Sequence, residues 1–212
     1  MEEPVKKILL VCIVLLAMAG SATAAELYGF GFAFGLDNVY RSWDLLTIDY
    51  ESTIAHSGLG FNADVYIGQK LGFYGGGAIG LLTGIKTRTV ADEISYLNET
   101  STDMSTLDTR LFGEALLGLG AFFPIAGSFD LSLAGGFGLT FISTSLENSD
   151  QTDNLLSLGP GLSVSFGLPV STNVEAYAAC RVIYGMILLG DYPDNYESNL
   201  SFTPAIGVKL KR

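Results

Sequence analysis

The sequence predicts an all-β fold, a transmembrane barrel of eight antiparallel strands in up-and-down order, with long connections at one end and short turns at the other. Three observations predict it. A period of two recurs in eight segments, with bulky apolar residues on one face and small residues on the other. After the N-terminal segment there is no run of about 18 apolar residues long enough for a spanning helix. Only 16% of residues are charged, while 26 of the 212 are glycine, so the chain is too apolar for an ordinary soluble surface.

Residues 1–24 read as a secretory signal. Lys6 and Lys7 precede the apolar run 8–18, and Ala22-Thr23-Ala24 resembles a cleavage site. The apolar run is too short for a retained anchor. The mature domain is therefore 25–212. Of two cysteines, Cys12 lies in the signal, leaving Cys180 with no intrachain partner. A net charge of −11 argues against a nucleic-acid partner.

The strands follow in order. The first alternates Tyr28, Phe30, Phe32, Phe34 and Leu36 with Gly29, Gly31, Ala33 and Gly35. The second sets Leu59, Phe61, Ala63, Val65 and Ile67 against Gly58, Gly60, Asn62, Asp64 and Tyr66. The third, 71–82, is weaker, with Leu71, Phe73, Ile79 and Leu81 opposite Tyr74, Gly76, Ala78 and Gly80. The fourth, 110–123, opposes Leu111, Leu117, Leu119 and Phe123 to Arg110, Glu114, Gly118 and Gly120. Segments 129–141, 156–168, 174–184 and 200–210 repeat the alternation. Each is about long enough to cross a bilayer at a tilt. Pro160 and Pro204 fall inside two of them. Each lacks a ladder donor, so each is expected at a bulge or strand end.

Long connections are expected over 37–56, 83–109, 143–154 and 186–198, and short turns near 68–71, 124–128 and 169–173. Each long connection sums to −3, −12 in all. The acidic character therefore belongs to one end. With the bulky face toward lipid, the small face lines a lumen that side chains can just fill. The inverse arrangement, a soluble barrel, would expose little but Gly, Ala and Ser, a poor soluble surface. Tyr28, Phe73, Phe123, Phe129 and Phe166 then fall near one rim, and Phe141, Tyr184 and Phe202 near the other, as two aromatic girdles.

On these residues the chain from Tyr28 to Leu210 resembles the small eight-stranded outer-membrane barrels of the OmpA/OmpX/OmpW kind. The resemblance is architectural. It implies a bacterial outer-membrane location, periplasmic termini, and contact with outer-membrane lipid, periplasmic chaperones and the barrel-assembly machinery. Such barrels commonly end in an aromatic residue read during assembly. Here Leu210, followed by Lys211 and Arg212, stands in that place.

Six charged residues fall on the lumen face: Asp64, Arg110, Glu114, Asp130, Glu175 and Arg181. Glu114 and Arg181 lie at similar depth and are expected to pair across the bore, because either charge alone in a confined interior is costly. His56 is the only histidine, expected at the outer rim beside Ser57. With Asp49 or Glu51 it could form a lipid-modifying site, though a solvated rim position is the plainer reading. No loop has calcium-motif spacing, and no glycine pair meets the dinucleotide fingerprint, so neither metal nor cofactor is expected. The leading expectation is a non-enzymatic barrel with a structural or surface-interaction role, its acidic loops meeting an extracellular ligand. The alternatives are a narrow channel for small or apolar solutes, suggested by the many small lumen residues, and the His56 enzyme.

Overall fold

The structure, a computed structural model, describes residues 25–45, 48–91, 98–125, 129–146, 152–190 and 196–212. The signal segment and the acidic residues Asp92, Glu93, Glu147, Asp150, Asp191 and Asp194 lie outside them. The described strands are β1 (Ala25–Leu45), β2 (Ile48–Gly68), β3 (Leu71–Ala91), β4 (Asn98–Ser101), β5 (Leu107–Ile125), β6 (Phe129–Leu146), β7 (Thr152–Ser171), β8 (Val174–Gly190) and β9 (Tyr196–Lys211). With β4 set aside, each strand pairs with the next along the chain, and β9 returns to β1, closing an eight-stranded antiparallel barrel. The short β4 pairs with β3 alone.

Opposed residues lead once around the wall from Glu26 through Ile67, Phe73, Leu119, Gly135, Leu162, Val182 and Phe202 to Leu36. The circuit ends ten residues along β1 from its start. That stagger tilts the strands and sets the width of the bore.

The strands run well beyond the segments in which the sequence alternates. Pairing of β1 with β2 continues through Asp37↔His56 to Leu45↔Ile48, inside the expected connection 37–56. The hydrophobic signal stops where lipid stops, whereas the backbone ladder needs no lipid. The result is a short rim of turns, including Gln69–Lys70 and Thr172–Asn173, and opposite it a tall rim of protruding hairpins. At the tall rim, β3–β5 pairing ends at Leu81↔Leu111, and β4 takes over as the partner of β3.

Neither proline sits at a bulge. Pro160 stays in register with Phe137, and Pro204 with Cys180. On its other side each interrupts the ladder for two positions without shifting the register, between Leu158↔Met186 and Gly161↔Ile183 for Pro160 and between Ala33↔Ala205 and Leu36↔Phe202 for Pro204. The missing donor costs pairing on one flank while the other neighbour holds the strand.

The outward face carries the apolar load. Phe32 is 66% exposed, Phe61 67%, Leu71 79% and Phe137 74%. Leu119, Leu162 and Ile206 stand with them. A soluble monomer rarely exposes an apolar patch beyond a few hundred Å², and this one encircles the wall. With every spanning strand paired on both edges, the molecule meets the two requirements for crossing a bilayer: apolar outside, backbone satisfied inside.

Candidate functional site: the lumen

Inward side chains fill the bore in three tiers. At the turn rim, Lys211 of β9 bridges two carboxylates. Its Nζ lies 2.6 Å from Asp130 Oδ2 and also contacts Glu175. Lys209, which sequence reasoning left out of the lumen charges, is buried. It donates to Ser165 Oγ at 2.5 Å and lies 5.1 Å from the centre of the Tyr177 ring. The cavity left between Asp64, Tyr66, Tyr74, Ser163, Ser165 and Lys209 measures about 10 Å³, no more than one water needs.

The middle tier is built around Arg181 of β8, 2% exposed. Its Nη1 donates to Glu114 of β5. Its Nη2 donates to Asp64 Oδ1 of β2 at 2.7 Å and to Asn62 Oδ1 at 3.2 Å. Asp64 is further held by Tyr74 OH of β3 at 2.6 Å, Tyr177 OH of β8 at 3.2 Å and Asn62 Nδ2 at 2.5 Å. Glu114 Oε2 accepts from Ser201 at 2.9 Å and Thr203 at 2.8 Å, both of β9. One guanidinium thus reaches across the bore to two buried carboxylates, on β2 and β5, and hydroxyls and an amide satisfy the carboxylates' remaining lone pairs, while Arg181 Nε is left without a hydrogen-bond partner. A buried pair needs both conditions to offset its desolvation.

The third tier, toward the tall rim, is apolar. Phe112 of β5 is 2% exposed and lies against Gly35, Gly58 and Gly80. A Cβ added at any of these would come within 2.5–2.6 Å of its ring. Above it Val39, Ile54, Leu82, Ile142 and Leu155 form a buried cluster, with Ile85 and Met104 packed against it. Polar residues interrupt this cap: Asn199 Nδ2 donates to Thr140 Oγ1 at 2.6 Å and to Ser157 Oγ at 3.3 Å.

Of the six expected lumen charges, the structure brings Asp64, Glu114 and Arg181 into one network, and Asp130 and Glu175 into another with Lys211. Arg110 also lies on the inward register, partly exposed toward the tall rim, opposite Thr144. Two expectations need correction. His56 is not at a solvated rim; it is 1% exposed, inside the bore opposite Asp37. Ser57, the next residue on the strand, points to the other face, as strand alternation requires, and its hydroxyl donates to the Gly84 carbonyl at 3.4 Å. The pair behind the enzymatic reading is therefore not assembled. Asp37, counted with the exterior acids, is also buried in the bore. The exposed acids at the tall rim include Glu51, Glu99, Asp103, Asp108 and Asp153. Among them Asp103 caps the 3₁₀ turn Met104–Thr106. Hydrogen bonds from the Ser105 N–H and hydroxyl, at 2.9 and 2.8 Å, hold its carboxyl below the usual range.

Sequence reasoning missed Phe112, Leu116 and Ile183 as lumen fillers. Their parity with Glu114 and Arg181 was the available signal.

No protein-family model matches the chain, and no curated protein matches it in sequence. Solved structures do match in fold. Neisserial surface protein A (NspA) is 14% identical with a TM-score of 0.53, covering 88% of this chain and 97% of that one. The chain has the fold of the small eight-stranded outer-membrane barrels. OprG from Pseudomonas aeruginosa is 13% identical with a TM-score of 0.48, covering 92% of this chain and 98% of that one. Ail, the attachment invasion locus protein of Yersinia pestis, is 12% identical with a TM-score of 0.47, covering 88% of this chain and 98% of that one.

Proposed function

We propose that the protein is an integral barrel of a bacterial outer membrane, exported by its N-terminal segment, with the turn rim and both termini in the periplasm. On this reading its bore is closed, its role is structural or surface-interacting, and its acidic tall rim meets the exterior. Outer-membrane lipid, periplasmic chaperones and the assembly machinery are its expected partners, with a ligand outside the cell.

The observation that carries the reading is the filled lumen, with the Arg181–Asp64–Glu114 network below Phe112 and its apolar cap. The channel alternative rested on small lumen residues leaving a bore open. Three of those glycines, Gly35, Gly58 and Gly80, lie against Phe112 instead, which favours the closed bore over the channel. The test is purified full-length protein in planar bilayers. Absence of stepwise conductance supports the closed barrel, and steady single-channel steps in the wild type would overturn it. Exchanging Glu51, Glu99, Asp103 and Asp108 for their amides should leave the fold intact and weaken adhesion of expressing cells to a basic surface. Unchanged adhesion would remove the acidic rim from the proposal.

A further inference from the structure

The four outer connections contain only three cations, Arg41, Lys86 and Arg88. Two of them stand on one strand face. Lys86 and Arg88 pair with Ala55 and Thr53 of β2. Because Ile54 and His56, which alternate with those partners along β2, are buried, both cations point outward, away from the bore. They are exposed, and residues two apart on a strand project side by side about 7 Å apart. Their level is set by their own strand. The apolar belt of β3 ends with Ile79 and Leu81, 65% and 52% exposed, and the next outward charge is Lys86. On neighbouring strands the exposed Tyr40 and the hydroxyls of Thr53 and Ser101 occupy the same band.

We infer that the outward face of β2, β3 and β4 above Leu81 is a docking surface for the phosphate-bearing headgroup of a membrane lipid, with Lys86 and Arg88 as its cationic contacts. A lipid is the occupant because the cations face sideways over the belt, where an acyl chain can lie against Leu81 while its phosphate reaches them. Glu51, exposed on the same face of β2, and Glu99, paired with Arg88, are the acids of this surface, and the two cations must hold the headgroup against them. Glu99 Oε1 lies 3.6 Å from Lys86 Nζ, with both side chains at least half exposed. Such a pair is weak, so Glu99 competes with the headgroup without blocking it. The inference needs the barrel to lie in a bilayer. It does not depend on whether the bore conducts, so it can fail without touching the closed-bore reading.

The test uses the full chain in phosphatidylcholine nanodiscs doped with phosphatidic acid, with retained lipid counted by native mass spectrometry. The wild type should enrich phosphatidic acid about thirtyfold over its mole ratio, given two basic residues near the surface. K86Q/R88Q should bring the enrichment to one, and E99Q should raise it. The opposite-rim control K70Q/R212Q should leave it unchanged, and millimolar inorganic phosphate should not displace the lipid. Equal enrichment in the wild type and K86Q/R88Q, or loss only in the opposite-rim control, overturns the assignment. Displacement by inorganic phosphate would overturn it too, since the patch would then bind a soluble anion.

Discussion

The middle of the bore and its tall end are both packed with side chains, but by opposite means. In the middle, Arg181 binds Asp64 and Glu114 through donors and acceptors whose directions fix the geometry. Toward the tall end, Phe112 lies in a socket of glycines beneath a cluster of aliphatic side chains. The first closure depends on charge balance, the second on volume. A barrel of eight strands leaves space that side chains can fill completely, and this chain uses both ways of filling it. The two should respond differently to substitution.

The largest effect should come from R181A. It leaves two buried carboxylates without their cation, and breaking such a pair costs about 3–5 kcal/mol. Urea titration of the folded protein in vesicles should show that loss. R181K should recover part of it, because Lys keeps the charge but cannot reach both acids in Arg's planar fork. Equal stability of R181A and wild type would mean that the network is hydrated and does not close the bore.

F112A should cost about 3–5 kcal/mol, since glycine walls have no side chains to collapse into the gap. G58A should cost about 1–3 kcal/mol by overpacking, since its Cβ would come within 2.5 Å of the ring. Combining G58A with F112L should recover much of that cost. Strict additivity in the cycle would show that the glycine does not serve the ring. The smallest change is expected at the exposed Lys86–Glu99 pair at the tall rim, where K86Q should lower stability by about 1 kcal/mol or less.

The lipid face was legible in the sequence because hydrocarbon imposes a simple rule on every second residue, and Phe30, Phe32, Phe61 and Phe137 obey it. The meeting of Glu114 and Arg181 was legible too, from matched depth and the cost of isolation. The other closure was not. A glycine at position 58 looks the same whether it faces empty space or a ring supplied by a strand distant in sequence. Only the stagger of the barrel decides which. His56 and Asp37 were misplaced for a related reason. Above the lipid boundary, pairing continues without an apolar outer face, and period-two reading has nothing to follow there.

Single-channel recording on wild type, R181A, F112A and R181A/F112A tests the account most directly. Two closures in series predict silence in the wild type, little or no conductance in either single variant, and stepwise conductance in the double variant. Steps in the wild type, or steps in R181A as large as those in the double variant, would contradict it.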